Sequence, residues 1–290
     1  MSINDDRDAL SRRDFVAVSI AAGLVAHAGP AAAALAVAED EVTIKTPDGV
    51  CDAAFIHPAN GVHPGVLVWP DAAGLRPAMR ELGRRLAAEG YAVLVPNPFY
   101  RIGKAPMYET AATIDFADPP TRAKVYALMD SVNAADHAEK DAAAYVAFLD
   151  AQAAVDKTRK IGVQGYCMGG ALTVRTAASL PERIGAGASF HGGGLVTDQA
   201  NSPHLLAPRI NARMYFGVAS NDDQRQPDAK DKLRAAFAGA KVPAEVEVYP
   251  AKHGWCVPDM PTEGGEPIYS RPDAERAWAH LLSLYKAALA

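Results

Sequence analysis

Three side chains that together could cleave an acyl bond stand at separate points of the chain: Cys167, Asp222 and His253. From Lys160 to Gly170 the chain reads KIGVQGYCMGG, an apolar run leading into G-x-C-x-G and then into a helix-forming stretch, Ala171 to Leu180. That is a nucleophile elbow with sulfur in place of the more usual hydroxyl. Gly165 and Gly169 lack a β-carbon, so the backbone can turn sharply from strand to helix and hold Cys167 in a strained, exposed pose. A helix beginning just after the sulfur aims its N-terminal N–H groups at it, which favours thiolate over thiol and prepares a place for an oxyanion. A thiol nucleophile also needs a base to collect its proton and a carboxylate to fix that base in one tautomer; after an elbow of this kind they follow in the order acid, then His. The chain has both in that order. The run 214–223, MYFGVASNDD, is an apolar strand ending in acids, and 246–253, VEVYPAKH, is the next strand ending in a histidine. Asp222 is the preferred acid and Asp223 its one-residue alternative. His191 is a rival base, but with Gly192–Gly194 after it, it reads better as part of a pocket floor.

These residues need a scaffold that brings three strand ends together. Short apolar or β-branched runs alternate with longer amphipathic stretches, the signature of an α/β fold with a mostly parallel central sheet covered by helices on both faces, in a single domain. Strands are expected at 41–45, 53–57, 66–69, 92–96, 160–164, 186–190, 213–218 and 245–249. The first two, joined by the turn Thr46 to Gly49, form an antiparallel hairpin. Helices are expected at 77–89, 135–154, 169–180, 227–239 and 271–287. The stretch from Pro98 to Asn133 is too long for an ordinary strand-to-helix loop, and reads as an excursion that either roofs the pocket or decorates the surface.

With 290 residues, 49% hydrophobic and 22% charged, the chain can bury one large core. A formal charge of −5 without basic clusters argues against nucleic acid and for a small-molecule partner. Residues 11–16, SRRDFV, form a twin-arginine pattern followed by an alanine-rich apolar run, with small-residue cleavage options at 32–34, 34–36 and 36–38. Residues 1–38 are therefore expected to be an export signal and 39–290 the folded domain, periplasmic or secreted. His27, Gly29 and Pro30 interrupt the apolar run before the roughly 20 residues a membrane span needs, so no membrane contact is expected after signal removal. Cys51, Cys167 and Cys256 are too few for a disulfide scaffold. Cys256 either forms an oxidisable pair with Cys167 or is a small buried apolar side chain. No metal-ligand spacing stands out and no organic cofactor is expected; the chain is expected to be a monomer or small homo-oligomer.

The segment 165–170, GYCMGG, the acid turn Asn221-Asp222 and the histidine loop 253–258, HGWCVP, resemble the dienelactone hydrolase family, the carboxymethylenebutenolidases, from about residue 41 to the end. The resemblance implies an α/β-hydrolase sheet and a Cys167–His253–Asp222 triad that works without metal or organic cofactor. It also assigns the run 68–74, VWPDAAG, to a loop supplying the second oxyanion N–H, from Ala72, beside that of Met168. Within that loop Asp71 takes the place of a family glutamate that engages the resting sulfur and takes up its proton. Family members that open dienelactone hold the substrate carboxylate with two arginines. By the resemblance Arg101 stands at the first place, whereas Val257 or Pro258 occupies the second. Trp255, Phe99, Tyr100 and Met107 are candidates for an apolar substrate wall. The expected activity is cysteine-dependent hydrolysis of lactones or activated esters through a thioester. A general carboxylesterase or thioesterase, and a non-catalytic exported binding or redox-sensing protein, are the alternatives.

Overall fold

Alternating apolar runs and amphipathic stretches assemble, in a computed structural model that describes residues 35–134 and 136–290, into an eight-stranded sheet with helices on both faces. The twin-arginine pattern and most of the alanine-rich run lie outside the described residues. The sheet comprises β1 (Val37–Thr46), β2 (Gly49–Pro58), β3 (Gly65–Trp69), β4 (Ala92–Pro96), β5 (Ile161–Tyr166), β6 (Ile184–Phe190), β7 (Arg213–Ala219) and β8 (Ala244–Tyr249). Its order is β1-β2-β4-β3-β5-β6-β7-β8, parallel from β4 to β8 and antiparallel where β2 meets β1 and β4. Strands β3, β4 and β5 are buried along their whole length, as continuous apolar runs between two helical layers must be. The β1–β2 turn is tight: Thr46 pairs with Gly49 across Pro47 and Asp48.

The helices are α1 (Pro77–Ala88), α2 (Pro119–Asn133), α3 (His137–Ala151), α4 (Met168–Ser179), α5 (Ser220–Arg225), α6 (Ala229–Gly239) and α7 (Arg271–Ala288). One core lies between the sheet and α3, α4 and α6, built from Tyr145, Leu149, Leu172, Leu233 and Phe237 with Leu67, Leu94, Val163 and Phe216. A second lies under α1 and α7, where Met79, Leu86, Leu281 and Tyr285 meet Val66, Val68, Val93 and Tyr215. The α/β expectation therefore holds, and residues from 35 onward form one domain.

Three departures from expectation have local causes. Strand β1 begins at Val37, not Glu41, and so crosses the expected boundary at residue 38. Its start is an edge strand carrying Glu39, Asp40 and Glu41, whose charges mask an apolar pattern, although Arg80 and Arg84 of α1 hold Glu39 in place. The excursion after β4 contains a full helix, α2. Pro119 and Pro120 occupy its first positions, where a missing N–H is harmless, and Asp118 accepts the Thr121 N–H at 2.9 Å as N-cap. Two short strands, β9 (Thr262–Glu263) and β10 (Glu266–Pro267), form a small hairpin after the histidine loop that the sequence reading did not anticipate.

Candidate active site

Cys167 links β5 to α4 with φ 53° and ψ −115°, a left-handed backbone that costs a non-glycine residue about 1–3 kcal/mol. Its own hydrogen bonds hold it there. The Cys167 N–H is shared between the Phe190 carbonyl at 3.1 Å and His191 Nδ1 at 3.2 Å, and the Cys167 carbonyl accepts from Gly170 and Gly193 at 3.0 and 3.1 Å. The flanking glycines serve close approach rather than the turn. A β-carbon on Gly165 would lie 2.0 Å from the Gly169 carbonyl oxygen, and one on Gly169 would lie 2.4 Å from that of Trp69. Helix α4 can thus press against β5 and β3, with the strain concentrated on the nucleophile itself.

The acid and the histidine emerge from the carboxyl ends of neighbouring parallel strands. His253 Nδ1 lies 2.5 Å from Asp222 Oδ2, while Arg225 donates to Asp222 Oδ1 at 3.2 Å. Asp223 turns away to Lys230 at 2.7 Å. Asn221 Oδ1 accepts the His253 N–H at 2.8 Å, and the Ser220 N–H donates to the Ala251 carbonyl at 3.0 Å, so the acid turn and the histidine loop are tied together by both backbone and side chain. Cys167 and His253 line the same cavity, so the sulfur and the ring face one space. Burial pushes the His253 pKa down, but the adjacent Cys167 sulfur and the Asp222 carboxylate outweigh it and raise the value to about 10.

His191 is fully buried, with its ring centroid 4.9 Å from that of His253. Burial first, and then the charge on His253, drive its pKa well below the ordinary value. Because its Nδ1 accepts the Cys167 N–H, the proton of the neutral ring sits on Nε2. A ring in that state positions the elbow and floors the cleft, and is unsuited to serve as base.

The cleft above the sulfur is a cavity of about 230 Å³ lined by Asp71, Ala72, Ala73, Ala111, Ile114, Phe116, Cys167, His191, His253, Gly254, Met260, Pro261 and Ile268. Ala72 stands on its wall, and Met168 opens α4 beside the sulfur, so its N–H has no carbonyl one turn back to bond. The excursion after β4 does reach the cleft, through Ala111, Ile114 and Phe116.

Asp71 is held differently from the expectation. Its Oδ1 caps the following turn through the Ala73 N–H at 2.9 Å, and Arg76 grips both its oxygens at 2.7 and 2.9 Å. Arg76 is itself only 1% exposed and reaches on to both oxygens of Asp259 at 2.8 Å. The carboxylate is thereby committed to a guanidinium and a turn instead of standing free for the sulfur. Arg101 is likewise not brought to the cleft. It binds Asp141 at 2.7 and 2.8 Å and Asp48 at 2.6 Å, stacking on Tyr100. Tyr100 donates to Asp141 at 2.7 Å, and Phe99 and Trp255 are wholly buried, so the expected aromatic wall is structural core. Cys256 is buried in a separate small cavity with Tyr166, Phe190 and Trp278, where burial pushes its thiol pKa far up; it is not presented to the cleft of Cys167. Apart from Ala72, the residues that line the apolar wall, together with Arg76 and Asp259, escaped sequence reasoning. They come from four loops and share no spacing, and the only local hint was a charged residue, Arg76, between Leu75 and Pro77.

A model of the dienelactone hydrolase family matches residues 51–289. The chain belongs to this family. Its relatives include a Methylorubrum extorquens protein that carries a provisional carboxymethylenebutenolidase name, 29% identical over 96% of this chain and 93% of its own length. The carboxymethylenebutenolidase of Rhodococcus opacus is 25% identical over 71% of this chain and 75% of its own. Among solved structures, a provisionally named dienelactone hydrolase from Klebsiella pneumoniae superposes with a TM-score of 0.69 at 25% identity, covering 87% of this chain and 99% of that one. This dienelactone hydrolase relative has the α/β-hydrolase type of fold and is a hydrolase.

Proposed function

We propose that the protein hydrolyses lactones or activated carboxylic esters through a Cys167 thioester, with His253 as acid and base and Asp222 as its orienter. The observation that carries this reading is the His253 ring, bound to Asp222 at 2.5 Å and lining the same cavity as Cys167. The sulfur attacks the carbonyl carbon, and the oxyanion that forms accepts hydrogen bonds from the Met168 and Ala72 N–H groups. As the tetrahedral intermediate collapses, the C–O bond breaks and His253 gives its proton to the departing alkoxide. Water then loses a proton to His253, attacks the thioester carbon and releases the acid with the thiolate. Thiolate is a good leaving group. An intermediate bearing a poor alkoxide or an amine therefore expels sulfur and reverts, which restricts turnover to lactones, enol esters and aryl esters.

Replacing Cys167 with Ala is expected to abolish p-nitrophenyl acetate hydrolysis. Acid-quenched wild type should carry an acetyl adduct by intact mass, absent from the variant; turnover close to wild type in C167A would remove sulfur from the mechanism. Export by the twin-arginine pattern is part of the same proposal, supported by Arg12, Arg13 and the small-residue cleavage options that follow.

A further inference from the structure

Resting on the hydrolase reading, we infer that the cleft selects small, neutral, apolar esters and lactones and rejects substrates that carry a carboxylate. The wall is supplied mainly by Ala72, Ala73, Ile114, Phe116, Met260 and Ile268, and at about 230 Å³ it falls below the ~300–1,000 Å³ usual for drug-sized ligands. A short acyl chain or one aromatic ring fills such a space.

The charged groups at the cleft and behind it are already paired with one another. Arg76 gives its donors to Asp71, Asp259 and the Gly74 carbonyl, so two carboxylates share one guanidinium, and of the three side chains only Asp71 lines the cleft. The imidazolium of His253 faces Asp222 and the Cys167 sulfur, and His191 is neutral. Arg101 is consumed by Asp141 and Asp48, and Arg122 donates to the Phe116 carbonyl at 3.1 Å without lining the cavity. Among the described residues that line the cleft there is no Lys or Arg. A substrate carboxylate would shed its water beside Asp71 and find no lysine or arginine on the lining in exchange. A charge-assisted hydrogen bond forgone in this way is on the order of ten- to a hundredfold in recognition.

The test compares p-nitrophenyl pentanoate with mono-p-nitrophenyl glutarate, acyl groups of equal length that differ by one carboxylate, on the full chain with C167A rates subtracted. The expected kcat/KM favours the neutral ester by roughly tenfold or more. Raising ionic strength should improve only the anionic ester, because salt screens repulsion from the acidic wall. Phe116 is 47% exposed, so Phe116→Arg should be accommodated at the rim and narrow the gap; should that variant not fold, the salt series on wild type carries the test. Equal or higher kcat/KM for the glutarate at low salt would overturn the selectivity and leave the hydrolase intact. Neither ester turning over above C167A would overturn both.

Discussion

The pKa of His253 is set by burial and two neighbours pulling in different directions. Burial disfavours the imidazolium, whereas the sulfur of Cys167 and the carboxylate of Asp222 favour it more strongly, so the ring keeps its charge up to about pH 10. Since the folded pKa is raised above an unfolded value of about 6.5, the stability it contributes is fully present below pH ~6.5 and is lost as pH rises through the folded value. Catalysis follows the same sign, because expulsion of the alcohol needs the protonated ring. The alkaline limb of kcat/KM should therefore fall near pH 10. Asp222→Asn should shift that limb toward the ordinary imidazole range and lower kcat by roughly a hundredfold or more, while Asp223→Asn, at a side chain bound to Lys230, should do neither. An unshifted limb in the Asp222 variant would show that this carboxylate does not govern the ring. Asp222 was legible in the sequence because it closely follows the apolar strand that precedes the histidine strand. Asp71 was legible as a residue but not in its role, since its partner Arg76 is recognisable only once both are buried.

At the level of elements, the site is an agreement among loops. The segment after β3 supplies Asp71, Ala72 and Arg76; the histidine loop supplies Asp259; and the excursion after β4 supplies Ala111, whose N–H donates to Asp259 at 3.1 Å. Arg76 is the joint, its side chain fully buried between two carboxylates. Although burial works against it, Arg76 holds the Asp259 carboxyl below its usual range. Replacing Arg76 with Met should leave both acids buried without their cation and destabilise the fold by about 3–5 kcal/mol, read from the midpoint of chemical denaturation. A loss below ~1 kcal/mol would mean that the loops are held by packing alone. The parallel strands and main helices were readable from period and composition, because each repeats over enough residues to average out exceptions. Helix α2 was hidden by its own beginning, two prolines that resemble a loop until Asp118 is seen as their cap.

For the molecule as a whole, the sheet limits where an export signal can end. Ala36 accepts the Ala59 N–H at 2.8 Å, and Val37 and Ala38 are paired with Pro58 and His57, so cleavage after residue 36 would remove a hydrogen bond to the end of β2 and cleavage after 38 would also remove the first two residues of β1. The option 32–34 keeps both the Ala36 hydrogen bond and all of β1. Under the proposed export, the mature protein is expected to begin at Leu35, as N-terminal mass analysis of a periplasmic fraction would show. A start at Glu39 would place the first two β1 residues within the signal, and a full-length cytoplasmic protein would count against export. Among the described residues no helix is long and apolar enough to cross a membrane.

The sequence by itself determined the order of chemistry along the chain. An elbow cysteine, an acid and a histidine each follow an apolar strand, and a parallel sheet gathers its strand ends at one edge, so the linear order already implied a common site. Only the tertiary structure decided which charges remain available there. Whether a carboxylate or guanidinium can meet a substrate depends on the opposite charge packed against it. Arg76 meets Asp259 across 183 positions of chain and Arg101 meets Asp141 across 40, separations at which no local pattern records the pairing.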